Sequence, residues 1–310
     1  MQIQANGLRI EVEDAGGAGE PVLLIMGLGG QLIHWPDAFL HALAGAGYRA
    51  VRFDNRDAGL SQRLPELGRP NLITAGLGRL FGAPPRPPYT LRDMAQDALG
   101  VLDALGIARA HVVGVSLGGM VAQRIAIAAP ERCATLTSIM SSSGARGLPG
   151  PRPQVAQAML TRPRGHDPEA ALRYALRFLT AISGPAFRLP EPELRAFVQR
   201  SIDRSSDGGG SPRQMAAVLA DTARAPELAQ VRCPTLVLHG DADPFVPIAC
   251  GRDTAQRIAG AQFVAIEGAG HDVAPRAFDE FLRYLLPFLR AHPIGNHQPA
   301  AALISSIAHD

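Results

Sequence analysis

The stretch HVVGVSLGGM, residues 111–120, is the most informative part of the sequence. Gly114, Ser116 and Gly118 match the pattern G-x-S-x-G, in which a serine stands on a sharp turn between a strand and a helix. Apolar residues precede the serine, and a helical pattern follows it over residues 117–129. The helix N-terminus would supply partial positive charge and free N–H groups. We predict that Ser116 is a nucleophile; a glycine-rich turn with an idle serine is the alternative.

Two later loops supply the acid and the base that a serine nucleophile needs. Asp243 lies in the loop HGDADPFVP after the apolar run TLVLHG, and His271 lies in GAGHD after the run QFVAIEG. Both loops leave the carboxyl ends of predicted strands, where open α/β sheets bind their ligands. The order Ser116, Asp243, His271 predicts a catalytic triad, whereas His271 taken alone would be assigned as a surface histidine.

Short apolar runs alternate with helical patterns along most of the chain. Strands are predicted at residues 8–12, 21–26, 48–53, 111–115, 136–140, 235–239 and 262–266. Helices are predicted at residues 39–46, 90–105, 117–129 and 278–290. This alternation indicates the α/β class, with a mostly parallel central sheet flanked by helices on both faces.

Two stretches interrupt the alternation. We expect residues 1–141 and 232–291 to form the α/β core, residues 142–231 a helical lid, and residues 292–310 a flexible C-terminal tail. Residues 62–89 are rich in proline, glycine and arginine and are predicted to form a long loop at the rim of the site. Within the lid, the stretch SPRQ, residues 211–214, has the spacing of a capping box.

The composition is that of a folded protein with a sizeable core, since 46% of the 310 residues are hydrophobic and 19% are charged. The net charge is +2 and no basic stretch stands out, which argues against a nucleic-acid partner. The sequence holds no lysine, so all 30 residues counted as lysine plus arginine are arginines. This excludes Schiff-base lysines and the lysines of phosphate-binding loops and kinases.

The cysteines and the first residues of the chain indicate an intracellular protein. Cys133, Cys233 and Cys250 form no closely spaced pair, which predicts neither a disulfide scaffold nor a metal site. The first ten residues contain no apolar core of a secretory signal, and no apolar run approaches the length of a membrane span. We therefore expect a cytoplasmic protein without a membrane span and without a bound metal.

Residues 5–290 resemble the α/β-hydrolase fold superfamily. The acid loop GDADPFVP, residues 240–247, and the pair GH, residues 270–271, match that family's loops. The segment DNRDAGLS, residues 54–61, is similar to the family pattern D-x-R-G-x-G-x-S, with Asp57 where glycine is usual. Together with the M-G-x-G turn, this segment looks closest to aclacinomycin methylesterase-like and related carboxylesterases.

The resemblance also distinguishes between two neighbouring aspartates. In the family the acid stands three residues after the first glycine of the loop and four before its proline; here that spacing runs from Gly240 to Pro247 and selects Asp243. Asp241 lies two residues earlier, and its expected role is to cap the turn with its side chain.

Further site residues follow from the resemblance. Backbone N–H groups of Leu28 and Leu117 are expected to form the oxyanion hole. Trp35, Phe245 and Val273 are candidates for the substrate pocket, although a core or rim position suits Trp35 equally well. In the lid, apolar residues such as Phe178 and Phe187 are expected to shape the acyl site.

The resemblance implies a serine hydrolase that cleaves carboxylic esters through an acyl-enzyme. It implies no cofactor and a small-molecule ester as the partner. A carbon–carbon bond hydrolase, or a cofactor-free haloperoxidase or perhydrolase, could use the same triad. The first of these is disfavoured because such enzymes often carry G-N-S-M-G, and Val115 and Leu117 stand at the variable positions here. The non-enzymatic alternative is a ligand receptor on a hydrolase scaffold.

Overall fold

A computed structural model describes residues 1–81, 83, 86–161, 167–205, 210–272 and 274–295 of the chain, which forms an α/β structure. Its strands are β1 (Gln2–Ala5), β2 (Leu8–Asp14), β3 (Glu20–Ile25), β4 (Tyr48–Phe53), β5 (Ala110–Val115), β6 (Cys133–Ile139), β7 (Thr235–Gly240) and β8 (Gln262–Ile266). The β5 sequence AHVVGV is rich in β-branched valine and is buried along its whole length, as expected for a central parallel strand.

These strands form one eight-stranded sheet within the described residues, in the order β1-β2-β4-β3-β5-β6-β7-β8. The β1–β2 and β2–β4 pairs are antiparallel, and the remaining pairs are parallel. The mostly parallel sheet predicted from the sequence is therefore confirmed. Because β3 and β5 to β8 run in the same direction, the loops that follow them emerge at one edge of the sheet.

Helices cover both faces of the sheet. The described helices are α1 (Asp37–Gly45), α2 (Leu72–Leu80), α3 (Leu91–Ala104), α4 (Leu117–Ala128), α5 (Pro153–Leu160), α6 (Pro168–Ile182), α7 (Glu191–Arg204), α8 (Ser211–Ala220), α9 (Arg224–Glu227), α10 (Ile248–Arg257) and α11 (Pro275–Ala291). Alternate residues of β3 show how the two faces are filled. Val22 and Leu24 pack with α1 and α11, whereas Leu23 and Ile25 pack with α3 and α4.

Helices α5 to α8 lie between β6 and β7, so the predicted helical insertion is present. Helices α6 and α7 share a small hydrophobic cluster of their own, with Leu172, Leu194, Phe197 and Val198 buried in it. Helix α8 differs, because its Ala217 belongs to the large cluster beneath the sheet. No helix among the described residues is long and apolar enough to cross a membrane.

The prediction of a long loop over residues 62–89 was wrong. This stretch contains α2 and a 3-10 turn at Pro65–Leu67. The α2 sequence LITAGLGRL includes two glycines, which weaken a helical pattern. Asn71 begins the helix, since its Oδ1 accepts hydrogen bonds from the backbone N–H groups of Ile73 (3.0 Å) and Thr74 (3.3 Å). A polar capping residue thus starts a helix that composition alone obscured.

The capping box predicted at residues 211–214 was also wrong. The N-cap of α8 is Gly210, and Ser211 is already helical with no side-chain cap in the described residues. The Gln214 side chain is therefore not used to cap its own helix. Of the predicted tail, residues 296–310 lie outside the described residues.

Candidate active site

Ser116 occupies a strained turn between β5 and α4. Its φ of 56° and ψ of −118° belong to a region that residues with a Cβ rarely adopt. Such a backbone costs about 1–3 kcal/mol and persists only where the surrounding structure enforces it. A Cβ on Gly114 would lie 2.2 Å from the Gly118 carbonyl oxygen, and a Cβ on Gly118 would lie 2.0 Å from the Ile25 carbonyl oxygen. The turn therefore requires glycine on both sides of the serine.

Strand β6 and the loop that follows it hold this serine in place. The Ser116 N–H donates to the Ile139 carbonyl oxygen at 2.8 Å, and the Ser141 hydroxyl donates to the Ser116 carbonyl oxygen at 2.7 Å. Helix α4 begins at Leu117, so the N–H groups of its first turn lack acceptors within the helix. The serine hydroxyl consequently stands at the carboxyl edge of the sheet, beside the positive end of a helix.

Asp243 and His271 form a direct pair at the same edge. His271 Nδ1 donates to Asp243 Oδ2 at 2.7 Å. Asp243 Oδ1 accepts from the backbone N–H groups of Phe245 and Val246, each at 2.8 Å. The carboxylate is buried, and these bonds fix its orientation. A carboxylate held in this way fixes the imidazole tautomer that leaves Nε2 free to accept a proton.

A second histidine lies beneath the acid loop. His239, the fifth residue of β7, donates from Nε2 to the Val246 carbonyl oxygen at 2.7 Å. Burial lowers the pKa of His239 and so favours its neutral form. Its Nδ1 has no hydrogen-bond partner within the described part of the chain. The sequence showed this histidine only as the end of an apolar strand, and the structure shows that it supports the loop that carries Asp243.

The glycine-rich segment after β3 forms a tight turn next to Ser116. The Gly30 N–H donates to the Gly27 carbonyl oxygen at 3.0 Å, and Gly29 has a φ of 64°. A Cβ on Gly27 would lie 3.2 Å from Ser116 Cβ. Leu28, between these glycines, and Leu117, the first residue of α4, thus flank the serine from two sides. We call residues 27–30 the glycine turn.

Polar contacts tie the histidine loop to its neighbours. Asp241 Oδ1 accepts from the Gly268 N–H at 2.8 Å, so this side chain bridges two loops. The expectation that Asp241 caps its own turn was wrong, because Asp243 Oδ1 performs that role. Asp272 Oδ2 accepts from the N–H groups of Gly270 (2.7 Å) and Gly184 (3.2 Å). Burial raises the pKa of Asp272, although both hydrogen bonds favour its charged form.

A row of aromatic rings leads from the insertion to the histidine. Phe245 packs edge-on against the His271 ring with 5.0 Å between centroids. Phe178 of α6 packs edge-on against Phe245 at 5.6 Å, and Tyr174 stacks on Phe178 at 6.0 Å. The insertion therefore contacts the region around His271 through apolar rings.

The other pocket candidates have different outcomes. Trp35 is fully buried and packs against Phe39 and Phe278 in the cluster under α1 and α11, so its ring does not line an open pocket. Its expected place at the pocket was wrong; a large apolar ring that follows a strand is drawn into the core by the area it buries. Phe187 packs against the same cluster. Val273 lies outside the described residues.

The structure brings Asp243, His271 and Phe245 into contact and places the glycine turn against Ser116. Ser116 Oγ and His271 Nε2 share no hydrogen bond among those found in the described residues. In enzymes without substrate, catalytic hydrogen bonds are often long and shorten when the substrate binds.

Contacts between the insertion and the segment DNRDAGLS could not be predicted from the sequence. Asp57, the residue that departs from the family pattern, has a φ of 66° and is buried. It accepts two hydrogen bonds from Arg213 of α8, at 2.6 and 2.8 Å, and one from the Tyr89 hydroxyl at 2.9 Å. Burial acts to raise the pKa of Asp57, but the hydrogen bonds from Arg213, Leu64 and Tyr89, together with the Arg213 charge, outweigh burial and lower that pKa. An aspartate in place of glycine thus anchors a helix of the insertion.

The chain belongs to the α/β hydrolase fold family, whose sequence model matches residues 20–275. Among curated proteins it is similar to the rhodomycin D methylesterase DauP of Streptomyces sp. (strain C5). The two are 30% identical over 309 residues, an alignment that covers 93% of this chain and 90% of that protein.

Two solved structures share the fold. The enol-lactonase from Burkholderia xenovorans LB400 superposes with a TM-score of 0.72 at 24% identity, covering 94% of this chain and 100% of that chain. The meta-cleavage product hydrolase from Pseudomonas fluorescens IP01 superposes with a TM-score of 0.73 at 21% identity, covering 94% of this chain and 98% of that chain.

Proposed function

We propose that the protein is a serine esterase that hydrolyses a carboxylic ester through an acyl-enzyme. The observation that carries the proposal is the backbone of Ser116, held at a φ of 56° between a buried strand and a helix N-terminus. Strain of this kind is retained where it places a reactive group, and here it lifts a hydroxyl above the sheet edge. The paired Asp243 and His271 at the same edge supply the acid and the base.

The proposed chemistry follows from this arrangement. Ser116 Oγ attacks the ester carbonyl while His271 Nε2 takes its proton, and Asp243 stabilises the resulting imidazolium through the 2.7 Å hydrogen bond. His271 then protonates the leaving alcohol. Water, deprotonated by the same Nε2, hydrolyses the acyl-enzyme and releases the acid. Binding of the ester is expected to bring Ser116 Oγ and His271 Nε2 into hydrogen-bond contact.

Two backbone donors stabilise the oxyanion in this proposal. The N–H of Leu117 lies in the unpaired first turn of α4, and the N–H of Leu28 belongs to the glycine turn that abuts Ser116. Backbone donors aimed at the developing negative charge supply a large part of catalysis in acyl transfer, because they need no reorganisation during the reaction.

We infer that the substrate is an ester with a bulky apolar acyl group and a small alcohol. The rings of Phe178 and Phe245 extend from α6 to His271 and provide an apolar wall. The methylesterase relative supports a small alcohol such as methanol. In this proposal α5 to α8 serve as the lid over Ser116, and the aromatic row is their contribution to the acyl site.

The proposal is tested by labelling and by turnover. A fluorophosphonate should modify Ser116 alone, as mapped by mass spectrometry, and p-nitrophenyl butyrate should be hydrolysed. Ser116→Ala should keep its circular dichroism spectrum and lose kcat by a factor of about 10³ or more. A label on another residue, together with an active Ser116→Ala variant, would overturn the mechanism.

A substrate panel tests the class of ester. Methyl esters of polycyclic acids should be hydrolysed with a higher kcat/KM than ethyl and butyl esters of the same acids. The panel also includes a vinylogous 1,5-diketone, which measures carbon–carbon cleavage, and a peracid assay, which measures perhydrolysis. If either of those reactions exceeded every ester in kcat/KM, the ester proposal would fail while the labelling of Ser116 still held.

A further inference from the structure

Helix α8 of the insertion is fastened to the glycine turn beside Ser116. The Gly29 N–H donates to Gln214 Oε1 at 2.7 Å, and Gln214 Nε2 donates to the Arg56 carbonyl oxygen at 2.8 Å. The Gln214 side chain is fully buried. One amide thus joins two loops of the α/β core, using its acceptor on one and its donor on the other.

Close packing shows that this end of α8 has little freedom to move. A Cβ on Gly29 would lie 2.6 Å from Ser211 Oγ, and a Cβ on Gly210 would lie 2.2 Å from the Asp57 carbonyl oxygen. The ion pair between Arg213 and Asp57, 2.6 Å long, fixes the helix at the residue before Gln214. Helix α8 therefore behaves as part of the scaffold of the site.

The hydrogen bond to Gln214 falls on the central peptide of the glycine turn. The turn is closed by the 3.0 Å bond from Gly30 N–H to the Gly27 carbonyl oxygen, and its third residue, Gly29, has a positive φ. Leu28 does not have a positive φ, so the turn is of type II. Type I and type II turns differ by rotation of the central peptide, here the one between Leu28 and Gly29. The N–H of this peptide, which belongs to Gly29, is the group that donates to Gln214 Oε1.

We propose that Gln214 is a positioning residue that holds the Leu28 N–H in the geometry needed for the oxyanion. Gly29 is exposed, so packing alone does not prevent its peptide from rotating. Loss of this hydrogen bond loosens the whole glycine turn against Ser116, and the Leu28 N–H in it then moves away from the developing charge. The inference rests on the proposed function, because it concerns an oxyanion formed at Ser116, and it predicts an effect on transition-state binding with little effect on substrate binding.

The test compares two buried glutamines. Gln214→Met removes the acceptor with little change in volume, and Gln123→Met removes an equally buried amide of α4 that bonds Arg224 and Ser138, away from the glycine turn. Expected for Gln214→Met is a kcat lower by about tenfold to a hundredfold, somewhat less than deletion of an oxyanion donor. Its KM should stay within about twofold of wild type. Gln123→Met should lower the melting temperature and leave kcat unchanged.

A boronic acid supplies a readout that a purely structural role would not affect. Phenylboronic acid adds to the serine hydroxyl and places an oxygen in the oxyanion hole, so its affinity should fall in Gln214→Met by the same factor as kcat. If Gln214→Met does not fold, Gln214→Ala, which leaves room for water, replaces it, and the same losses of kcat and boronate affinity are expected. This inference alone would be overturned if the wild type were active and a folded Gln214 variant had the same kcat and boronate affinity as Gln123→Met. A wild type that neither hydrolyses esters nor binds the boronate would overturn the proposed function and the inference together.

Discussion

The two parts of the helical insertion meet the rest of the molecule in different ways. Helices α6 and α7 pack through a small hydrophobic cluster of their own. Helix α8 adds Ala217 to the main cluster and places Arg213 and Gln214 in buried contacts with loops of the core. The insertion looks uniform in sequence, but α8 is packed into the α/β core, whereas α6 and α7 pack mainly against each other.

The contacts of α6 and α7 with the core are concentrated at their ends. The His271 N–H donates to the Ile182 carbonyl oxygen at the end of α6, at 2.8 Å, and Arg204 at the end of α7 pairs with Asp54 at 2.7 Å. Elsewhere α6 contacts the core through the aromatic row that includes Phe178, and α7 packs Phe197 on the His34 ring. We therefore expect α6 and α7 to tolerate substitutions better than α8, which is held by buried hydrogen bonds to loops near Ser116.

The largest effect is expected in the α/β core, at the acid of the proposed active site. Asp243→Asn should preserve the fold and lower kcat by up to about 10⁴-fold, because the amide cannot hold the His271 tautomer. Asp241 provides the matched control, since it lies two residues away and bonds Gly268 instead of the imidazole. Asp241→Asn should reduce the melting temperature more than kcat. Both variants are compared in kcat on p-nitrophenyl butyrate and in thermal melts.

A different result would reverse this assignment. If Asp241→Asn lost most of its kcat while Asp243→Asn kept it, the acid of the site would be Asp241. The 2.7 Å contact between Asp243 and His271 would then be structural.

The second effect concerns the anchoring of α8. Asp57→Asn removes the charge that faces Arg213, and breaking a buried pair of this kind costs about 3–5 kcal/mol of unfolding free energy. The control is Glu169→Gln on α6, whose pair with Arg173 is exposed and should contribute less than about 1 kcal/mol. Urea denaturation measures both. Equal losses in the two variants would contradict the division between α8 and α6.

Asp57 also predicts a pH dependence of stability. Its pKa in the folded protein is lowered, so its stabilising contribution is complete above the unfolded value of about 3.9. That contribution is lost as the pH falls from about 3.9 through the folded pKa, because the native state must then take up a proton on a paired carboxylate. Asp57→Asn should remove this part of the acid destabilisation. If the free energy of unfolding of the wild type and of Asp57→Asn differed by the same amount at every pH below about 3.9, this prediction would be contradicted.

The third effect is on specificity and belongs to α6. Phe178→Ala shortens the aromatic row at the ring that packs on Phe245, so kcat/KM for long acyl chains should fall about tenfold relative to acetate esters. Phe187→Ala is the control, because Phe187 packs against the core cluster and should affect stability with no preference among chain lengths. A uniform loss across chain lengths for Phe178→Ala would count against the acyl-site assignment.

The sequence predicted the fold well because the fold rests on local patterns. Strands such as β5 are continuous apolar runs, and the elbow at Ser116 is marked by two glycines that the backbone cannot do without. The order of the motifs also placed Ser116, Asp243 and His271 at one edge of the sheet, because parallel strands end together. Among the described strands and the helices that pack on the sheet, β1 and α10 were not predicted; the sequence of β1, QIQA, is half polar, and α10 is amphipathic.

The contacts of the insertion could not be predicted, because they join residues distant in sequence. Gln214 lies 185 positions after Gly29, and the local pattern around it favoured a capping box. Trp35 was ambiguous for a related reason: its place in the core depends on Phe278, a residue of the last helix. Helical periodicity gives the face of a helix, whereas the partner of that face is set by tertiary packing.

The smallest effect concerns the contact of α7 with the core. His34 Nε2 bonds Ser201 Oγ of α7 at 2.8 Å and its ring lies 4.8 Å from that of Phe197. Burial, together with the nearby Arg204 and Arg200, lowers the pKa of His34 to about 4. The unfolded chain binds a proton here below about pH 6.5, so stability should fall as the pH drops from about 6.5 to about 4. His34→Gln keeps a hydrogen-bonding side chain and should flatten this part of the melting-temperature profile by a few degrees. His41→Gln, at an exposed position of α1, should leave the slope unchanged. If the wild type and His34→Gln profiles ran parallel from pH 7 to pH 4, protonation of His34 would not be what weakens α7 in acid.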